Sequence, residues 1–534
     1  MIGMRGEARV IPTRPITVEI IDQIKPMLLD LATRYRKTLR GCRYADIRVQ
    51  VDEGQSAVAE NGGSKHSTRD YAFAVGIRAL SGDGMVAPGY FGRSLGTADV
   101  DRLEQVVKEG LRHAHHRALA NAERKAATRE AFGPLADALT STTLAPIDIH
   151  QDTVPARFEV DPRSVPLDEI VALTTEISKS TLALDPHVKY TFISAFTLLS
   201  RELLCSSEGA NIDQCFALTQ GTCFIVAHGK SGTQELYDYM GHQRGWEVVT
   251  RGVQEECIRF PDFRAFCTNL TKDAVSLCNA RPLKATDHEV VVVTDPHYNT
   301  LKVHEIVGHP TELDRALKME ASYAGRSWLF RNMREHQLGK QIASPLISAF
   351  SDPSLPGYGH YKYDHEGTPG RRVTHIDQGI FTGFMNSRQT AAILGVPPNG
   401  SYKAADASLV PLIRMSNTVF GPGERDPQEL IREIPHGYYL VGHRIPSIAE
   451  SRENFQISAM KVYEIKQGQI GELFCNGGIM ADTKDYLMKV DAVGNDFRLY
   501  PIPNCGKGQP MQTKRLGNGG PTMRSRALLT GVTK

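Results

Sequence analysis

Val303-His304-Glu305-Ile306-Val307-Gly308-His309-Pro310 sets one carboxylate between two imidazoles, just past the middle of a 534-residue chain. Immediately upstream, His288-Glu289-Val290-Val291-Val292-Val293 is an apolar run closed by Asp295-Pro296. The run reads as a buried strand, and the pattern after it as a helix from about residue 298 to beyond residue 317. A strand feeding a helix that carries chemistry holds a site on rigid elements. The histidines stand at i and i+5, not at the i and i+4 that puts two rings on one helical face. At 3.6 residues per turn, five positions carry the second ring roughly 140° past the first. A widened turn brings them back together. Gly308 relaxes the backbone, and Pro310 has no N–H for the Ile306 carbonyl. The spacing therefore predicts a helix distorted over 308–310.

Two imidazoles and a carboxylate are the material for a metal-activated water and its base. A catalytic zinc takes three protein ligands and keeps one position open. Glu312 follows His309 by three residues on the same face, so it is a candidate third ligand, or an acceptor for a ligand N–H. Asp314 extends that acidic run. The other candidate ligand is Cys505, in the glycine-rich Asn504-Cys505-Gly506-Lys507-Gly508-Gln509, where Lys507 would favour the thiolate. Cys475 is its rival. The plainer reading, two satisfied core histidines beside a surface glutamate, stands next to these.

Working outward, residues 1–15 read as a loose arm and 17–39 as a helix containing Pro26. Residues 45–52, 71–80 and 85–91 read as strands, and 99–120 as an amphipathic helix. On that helix Arg112-His113-Ala114-His115-His116 reads as a solvated basic face rather than a metal site. Residues 121–165 become Pro/Asp/Thr-rich and read as a crossing segment. A helix is expected at 167–184 and an antiparallel sheet at 189–249, with 246–250 (WEVVT) as its last strand. Cys205, Cys215 and Cys223 fall on that sheet at spacings unlike a zinc knuckle, so they read as small buried hydrophobes. A helix is expected at 263–279. Beyond 350, short strands and frequent Gly and Pro give an all-β character, with turns at Gln378-Gly379 and Gln467-Gly468. The final few residues are expected to be mobile. The expected fold class is α+β: an N-terminal α/β domain with a mixed or antiparallel sheet and flanking helices, then a largely β C-terminal domain carrying the distorted helix. The expected divisions are 1–125, 126–284 and 285–534.

Composition bounds the function. With 41% hydrophobic and 23% charged residues, this is an ordinary globular chain. Its 62 basic and 60 acidic residues leave a net charge of +2, which argues against nucleic acid or a membrane surface as partner. No apolar run approaches the roughly 20 residues of a membrane span. Nine cysteines without a CxxC pair suit reduced thiols in a cytoplasmic setting.

Several segments together resemble the TldD/PmbA peptidases. Asn61-Gly62-Gly63 and AFAVGIRAL (72–80) are similar to that family's first domain, and HEIVGHPTELD (304–314) to its HExxxH signature. DPSLPGYGHYKYDHEGTPGRRV, IDQGIFTGFMNSRQTA, PLIRMSNT and NCGKGQP resemble consecutive later segments, the last with one residue fewer before the Gln. The resemblance implies zinc, one ion per catalytic subunit, on His304, His309 and Cys505, with Glu305 as catalytic base on a metal-bound water. It implies a metal-bearing, TldD-like subunit in a dimer, either homodimeric or paired with a PmbA/TldE-like subunit, whose cavity admits short or unfolded peptides. The chain departs from the pattern in its length around 121–165 and in Pro310. His360, His375, Arg414 and Asn417 are expected as substrate-binding or supporting residues, and the tyrosines and histidines of 358–375 as sources of oxyanion help. The alternative function is a non-catalytic subunit that binds peptides or completes a partner's cavity.

Overall fold

The computed structural model describes residues 15–133, 140–320 and 325–532. Most of the expected N-terminal arm, 1–14, and the last two residues, 533 and 534, lie outside them. The chain begins with α1 (Ile20–Thr33), which does contain Pro26. Then come β1 (Cys42–Glu60), β2 (Gly63–Ser81) and β3 (Ala87–Ser94). The turn between β1 and β2 is Asn61-Gly62, both at positive φ, which is what the right-handed twist of a two-residue hairpin requires. The helix α2 (Leu103–Phe132) runs well past the expected end at 120. It is followed by β4 (Gln151–Val154), α3 (Leu167–Leu182), β5 (Val188–Ser206), β6 (Asn211–Gly229), β7 (Gly232–His242) and α4 (Phe263–Leu277).

Strands β1–β7 form one sheet in the order β3-β2-β1-β5-β6-β4, with β7 also on β6. All pairs are antiparallel except β4 with β6, so the sheet is mixed. The pairing of β1 with β5 joins segments on either side of residue 125 in a single sheet. Side chains alternate across it. Ile47, Val49 and Val51 of β1 enter a core with α1 and α2, while Arg48 on the opposite face donates to the Leu409 carbonyl. Residues 246–250 do not extend this sheet. The segment Glu247–Arg251 is a short helix, anchored because the Glu247 carboxylate accepts the N–H groups of Gly245, Glu159 and Val160. His115 is likewise not solvated: it is buried against the Ser81 hydroxyl.

The second half is built on two further sheets. In one, β8 (Val290–Thr294) lies between His436–Ile448 (parallel) and Met523–Thr530 (antiparallel). Met523–Thr530 pairs with Gly478–Asp482, which pairs with Asn454–Lys466, which returns to His436–Ile448. These five strands therefore close into a ring. The other sheet runs Ile380–Phe381, Val373–Asp377, Ala349–Ser351, Asn417–Phe420, Gln512–Gly520, Arg498–Lys507. Helix α5 (Pro296–Val303) leaves β8 and packs against both His436–Ile448 and Gln512–Gly520. Asp295 caps it, accepting the Tyr298 N–H at 2.6 Å, and also accepts the Gly442 N–H at 2.9 Å, which ties the helix start to the ring. Among the described residues, no helix is long and apolar enough to cross a membrane.

Candidate metal centre

After Val303 the helix widens. Residues His304–Gly308 form a π turn in which the His309 N–H bonds the His304 carbonyl, and His309–Thr311 follows as a 3-10 turn. The distortion thus begins four residues earlier than the glycine and proline suggest. Two contacts hold its C-terminal end. Gly308 packs against Met415 so closely that a Cβ would fall 2.0 Å from the Met415 sulfur. Downstream, the Thr311 hydroxyl donates to the Val307 and Gly308 carbonyls, at 2.9 and 2.8 Å. The extra residue in the turn does what the i, i+5 spacing demands: the two imidazoles meet, centroids 4.7 Å apart and planes at 87°.

Cys505 completes the group. It sits on the strand Arg498–Lys507, not in a loop, opposite Lys514. Arg414 fixes that strand by donating to the Cys505 carbonyl at 2.5 Å and to the Gln512 carbonyl at 3.1 Å. One donor atom each from His304, His309 and Cys505 lies within 4.8 Å of the others, and all three residues are buried. The Cys505 Sγ to His309 Nε2 separation is 3.7 Å. A tetrahedral zinc with bonds of about 2.0–2.3 Å spaces its ligand atoms by roughly 3.5 Å, so the donor set and its spacing fit that ion. Among the described residues this is the one cluster of three or more such donors.

The far nitrogens of both rings are held. His304 Nδ1 lies 3.1 Å from Asn518 Oδ1, and the Asn518 amide is oriented by its own donation to the Thr418 carbonyl at 2.9 Å. His309 Nδ1 lies 3.2 Å from Glu312 Oε2. With Nδ1 donating, each Nε2 keeps a lone pair for a metal. Glu312 is fully buried between Arg315, at 2.8 Å, and Lys507, at 3.2 Å. Lys507 also bonds Asp314 at 2.7 Å. The thiolate is favoured by other groups: against the cost of burial, the His304 and His309 imidazoles, with Arg414, hold the Cys505 thiol well below its usual range. Reciprocally, burial would discharge His304, but Cys505 and Glu305 raise it to about 9.

Glu305 lines a cleft of about 360 Å3 together with His304, His309 and Cys505, and with Tyr237, Tyr239, His443, Arg444 and Arg452. Burial pushes its carboxyl up, and the His309, His304 and Arg452 charges outweigh that and leave it below the usual range. Arg452 Nη1 lies 3.8 Å from Glu305 Oε2.

The other expected residues lie elsewhere. His360 bonds the Pro353 carbonyl at 2.7 Å, and His375 is a core residue between the Ser351 hydroxyl and the Gly383 carbonyl. Asn417 braces a turn through the Leu355 carbonyl and the Gly359 N–H, and Arg414 holds the backbone of the Cys505 strand. Tyr358, Tyr361, Tyr363 and His365 each pair with other groups, and none lines the cleft. Cys475 is buried against the Ala280 carbonyl. Sequence reading missed Asn518, Arg315, His443, Arg444 and Arg452. The clue for Asn518 was Gly517-Asn518-Gly519-Gly520: Asn417 fills the space beside Gly517, and the Arg498 carbonyl lies where a Gly519 Cβ would stand.

Residues 288–530 match the PmbA/TldA metallopeptidase C-terminal domain. A metalloprotease of Methanothermobacter thermautotrophicus is 31% identical over 384 residues, covering 72% of this chain and 78% of that protein. A zinc metalloprotease TldD homolog of Saccharolobus solfataricus is 27% identical over 358 residues, 67% of this chain and 74% of its own length. Among solved structures, TldE from Thermococcus kodakarensis superposes with a TM-score of 0.68 at 17% identity, over 95% of this chain and all of that one. A putative modulator of DNA gyrase from Thermotoga maritima gives 0.69 at 16%, over 96% of this chain and all of that one.

Proposed function

Because this chain belongs to the PmbA/TldD metallopeptidase family, we propose that it hydrolyses peptide bonds using zinc held by His304, His309 and Cys505, with Glu305 as general base. The observation that carries this reading is the convergence of those three buried donors in the lining of a cleft that Glu305 also lines. The chemistry a bound zinc contributes there is Lewis acidity toward water and toward a carbonyl oxygen. Glu305 takes a proton from the attacking water and returns it to the leaving amine. Arg452 steadies the Glu305 carboxylate from the opposite side. Asn518 and Glu312 fix the tautomer and angle of the two imidazoles. At about 360 Å3 the cleft has room for only a few residues of chain, which supports short or unfolded peptides as the substrates. In the same proposal the chain works as a dimer, with a copy of itself or with a TldE-like subunit, and the fold it shares with the Thermococcus protein supports that part.

The test is a peptide library incubated with the purified zinc-loaded protein, products read by mass. Hydrolysis is expected, and a chelator should abolish it. Glu305→Gln should keep its zinc and lose at least about 100-fold in rate, the size of a general-base contribution. Full activity in Glu305→Gln, or no hydrolysis by the zinc-loaded wild type, overturns the proposal.

A further inference from the structure

Among the polar side chains that line the cleft and that the reaction above leaves unused, two are consecutive in sequence, His443 and Arg444. His443 is 4% exposed, yet neither ring nitrogen makes a hydrogen bond of good geometry among the described residues, the Arg444 backbone being the one polar group that approaches the ring. Buried imidazole nitrogens are rarely left so, because each unmade bond carries the full desolvation cost. The ring is held by an edge contact with His297, centroids 4.9 Å apart, and His297 is in turn stacked on Tyr500 at 4.6 Å. The position is therefore built and rigid. Burial, with the neighbouring His297, keeps His443 neutral, so it offers one N–H and one lone pair.

The next residue, Arg444, also lines the cleft. Consecutive strand residues normally face opposite sides. Here the pairing of His436–Ile448 with Asn454–Lys466 shifts register between His443 and Pro446, and such an irregularity re-aims side chains. The Arg444 guanidinium makes no hydrogen bond or ion pair among the described residues. The one carboxylate lining the cleft is Glu305, which already faces Arg452 at 3.8 Å. A cation and a neutral donor–acceptor ring thus stand next to each other on the cleft lining with no side-chain partner among the described residues. A peptide amide would satisfy the ring and leave the guanidinium bare. A carboxylate takes an N–H from each, and the imidazole lone pair accepts the amide N–H next to it.

We propose that His443 and Arg444 form a carboxylate-binding subsite, so that the peptides this cleft takes are those carrying a carboxylate, at the C-terminus or on an Asp or Glu side chain. This rests on the peptidase reading and names its substrate class. The experiment measures binding, which is separable from hydrolysis. A fluorescent peptide of otherwise neutral residues is made in four forms: C-terminal acid or amide, each with Glu or Gln at one internal position. Each is titrated by polarisation into the full-length zinc-loaded Glu305→Gln protein. At least one acid form should bind ten-fold or more tightly than the all-neutral form, and the form that does so identifies the source of the carboxylate. Adding Arg444→Gln should bring all four within two-fold of one another, while Arg444→Lys should keep part of the preference. Equal binding of all four forms, or no binding of any, overturns the subsite even if the protein hydrolyses peptides. A uniform weakening by Arg444→Gln overturns it too. Should Arg444→Gln fail to fold, the preference of the Arg444 parent and its partial retention in Arg444→Lys still decide. Selective binding by a protein whose wild type hydrolyses nothing would leave the subsite standing and sink the peptidase reading.

Discussion

Glu312 meets His309 on its Nδ1, 3.2 Å away, and not on the Nε2 that faces Cys505. In the proposed centre the acidic residue after the motif therefore braces a ligand instead of being one. Outer partners of this kind typically change metal affinity 10–100-fold. Glu312→Gln should weaken zinc binding by about that factor while saturating zinc still loads one ion, as read by competition with a chromogenic chelator. Glu312→Ala should also destabilise the zinc-free fold by about 3–5 kcal/mol in urea, because it takes the carboxylate from the buried Arg315 guanidinium, while Lys507 keeps Asp314. Complete loss of zinc at saturation in Glu312→Gln would restore Glu312 as a ligand.

Cys505→Ser removes the thiolate and keeps the size. Zinc content measured on purified protein should fall from near one per chain to near zero. Unfolding of the zinc-free forms should differ little, since Arg414 grips the carbonyl of Cys505 and not its side chain. Retained zinc in the serine variant sinks the assignment.

Gly308→Ala should be costly for a reason unrelated to zinc. The added methyl meets the Met415 sulfur at 2.0 Å, and overpacking of that kind costs about 1–3 kcal/mol. The combination with Met415→Ala should recover part of the loss in a double-mutant cycle. Additive losses would place the strain elsewhere in the widened turn.

A pH dependence follows from His375. Burial pushes it from 6.5 down to about 4, so it is neutral in the fold. Above pH 6.5 it is neutral folded or unfolded and costs nothing. As pH falls from 6.5 toward 4, the unfolded chain takes up a proton that the fold refuses, and stability is lost, by up to about 3 kcal/mol over that window. His375→Gln should therefore flatten the dependence of unfolding free energy on pH between 6.5 and 4 by close to one proton. An unchanged slope would mean that His375 titrates normally.

The segments legible in the sequence were those whose pattern is local. The valine run before Asp295-Pro296, the turns at Gln378-Gly379 and Gln467-Gly468, and the i, i+5 anomaly all report on neighbours a few residues away. The short helix at Glu247–Arg251 was read as a strand because its apolar run is too brief to show a period, and the Glu247 contacts that set it come from residues 87 and 88 positions earlier. Cys505 was legible as a donor but not as a strand residue, because its glycine-rich surroundings look like a loop. His443 and Arg444 were not legible at all. Nothing in His443-Arg444-Ile445-Pro446 distinguishes a cleft wall from a surface strand until the register shift that turns both side chains inward is known.

The strand that feeds the site helix lies between His436–Ile448 and Met523–Thr530, and the proposed ligand Cys505 is 196 residues from His309. A ribosome that has made the HExxxH segment has yet to make most of what surrounds it. Until residue 505 has emerged the thiolate is missing, and until 523–530 follow, the ring that anchors α5 is open. A nascent or prematurely terminated chain therefore cannot assemble the centre. If the centre is the hydrolytic site proposed, the order of synthesis itself keeps it from forming on a growing chain.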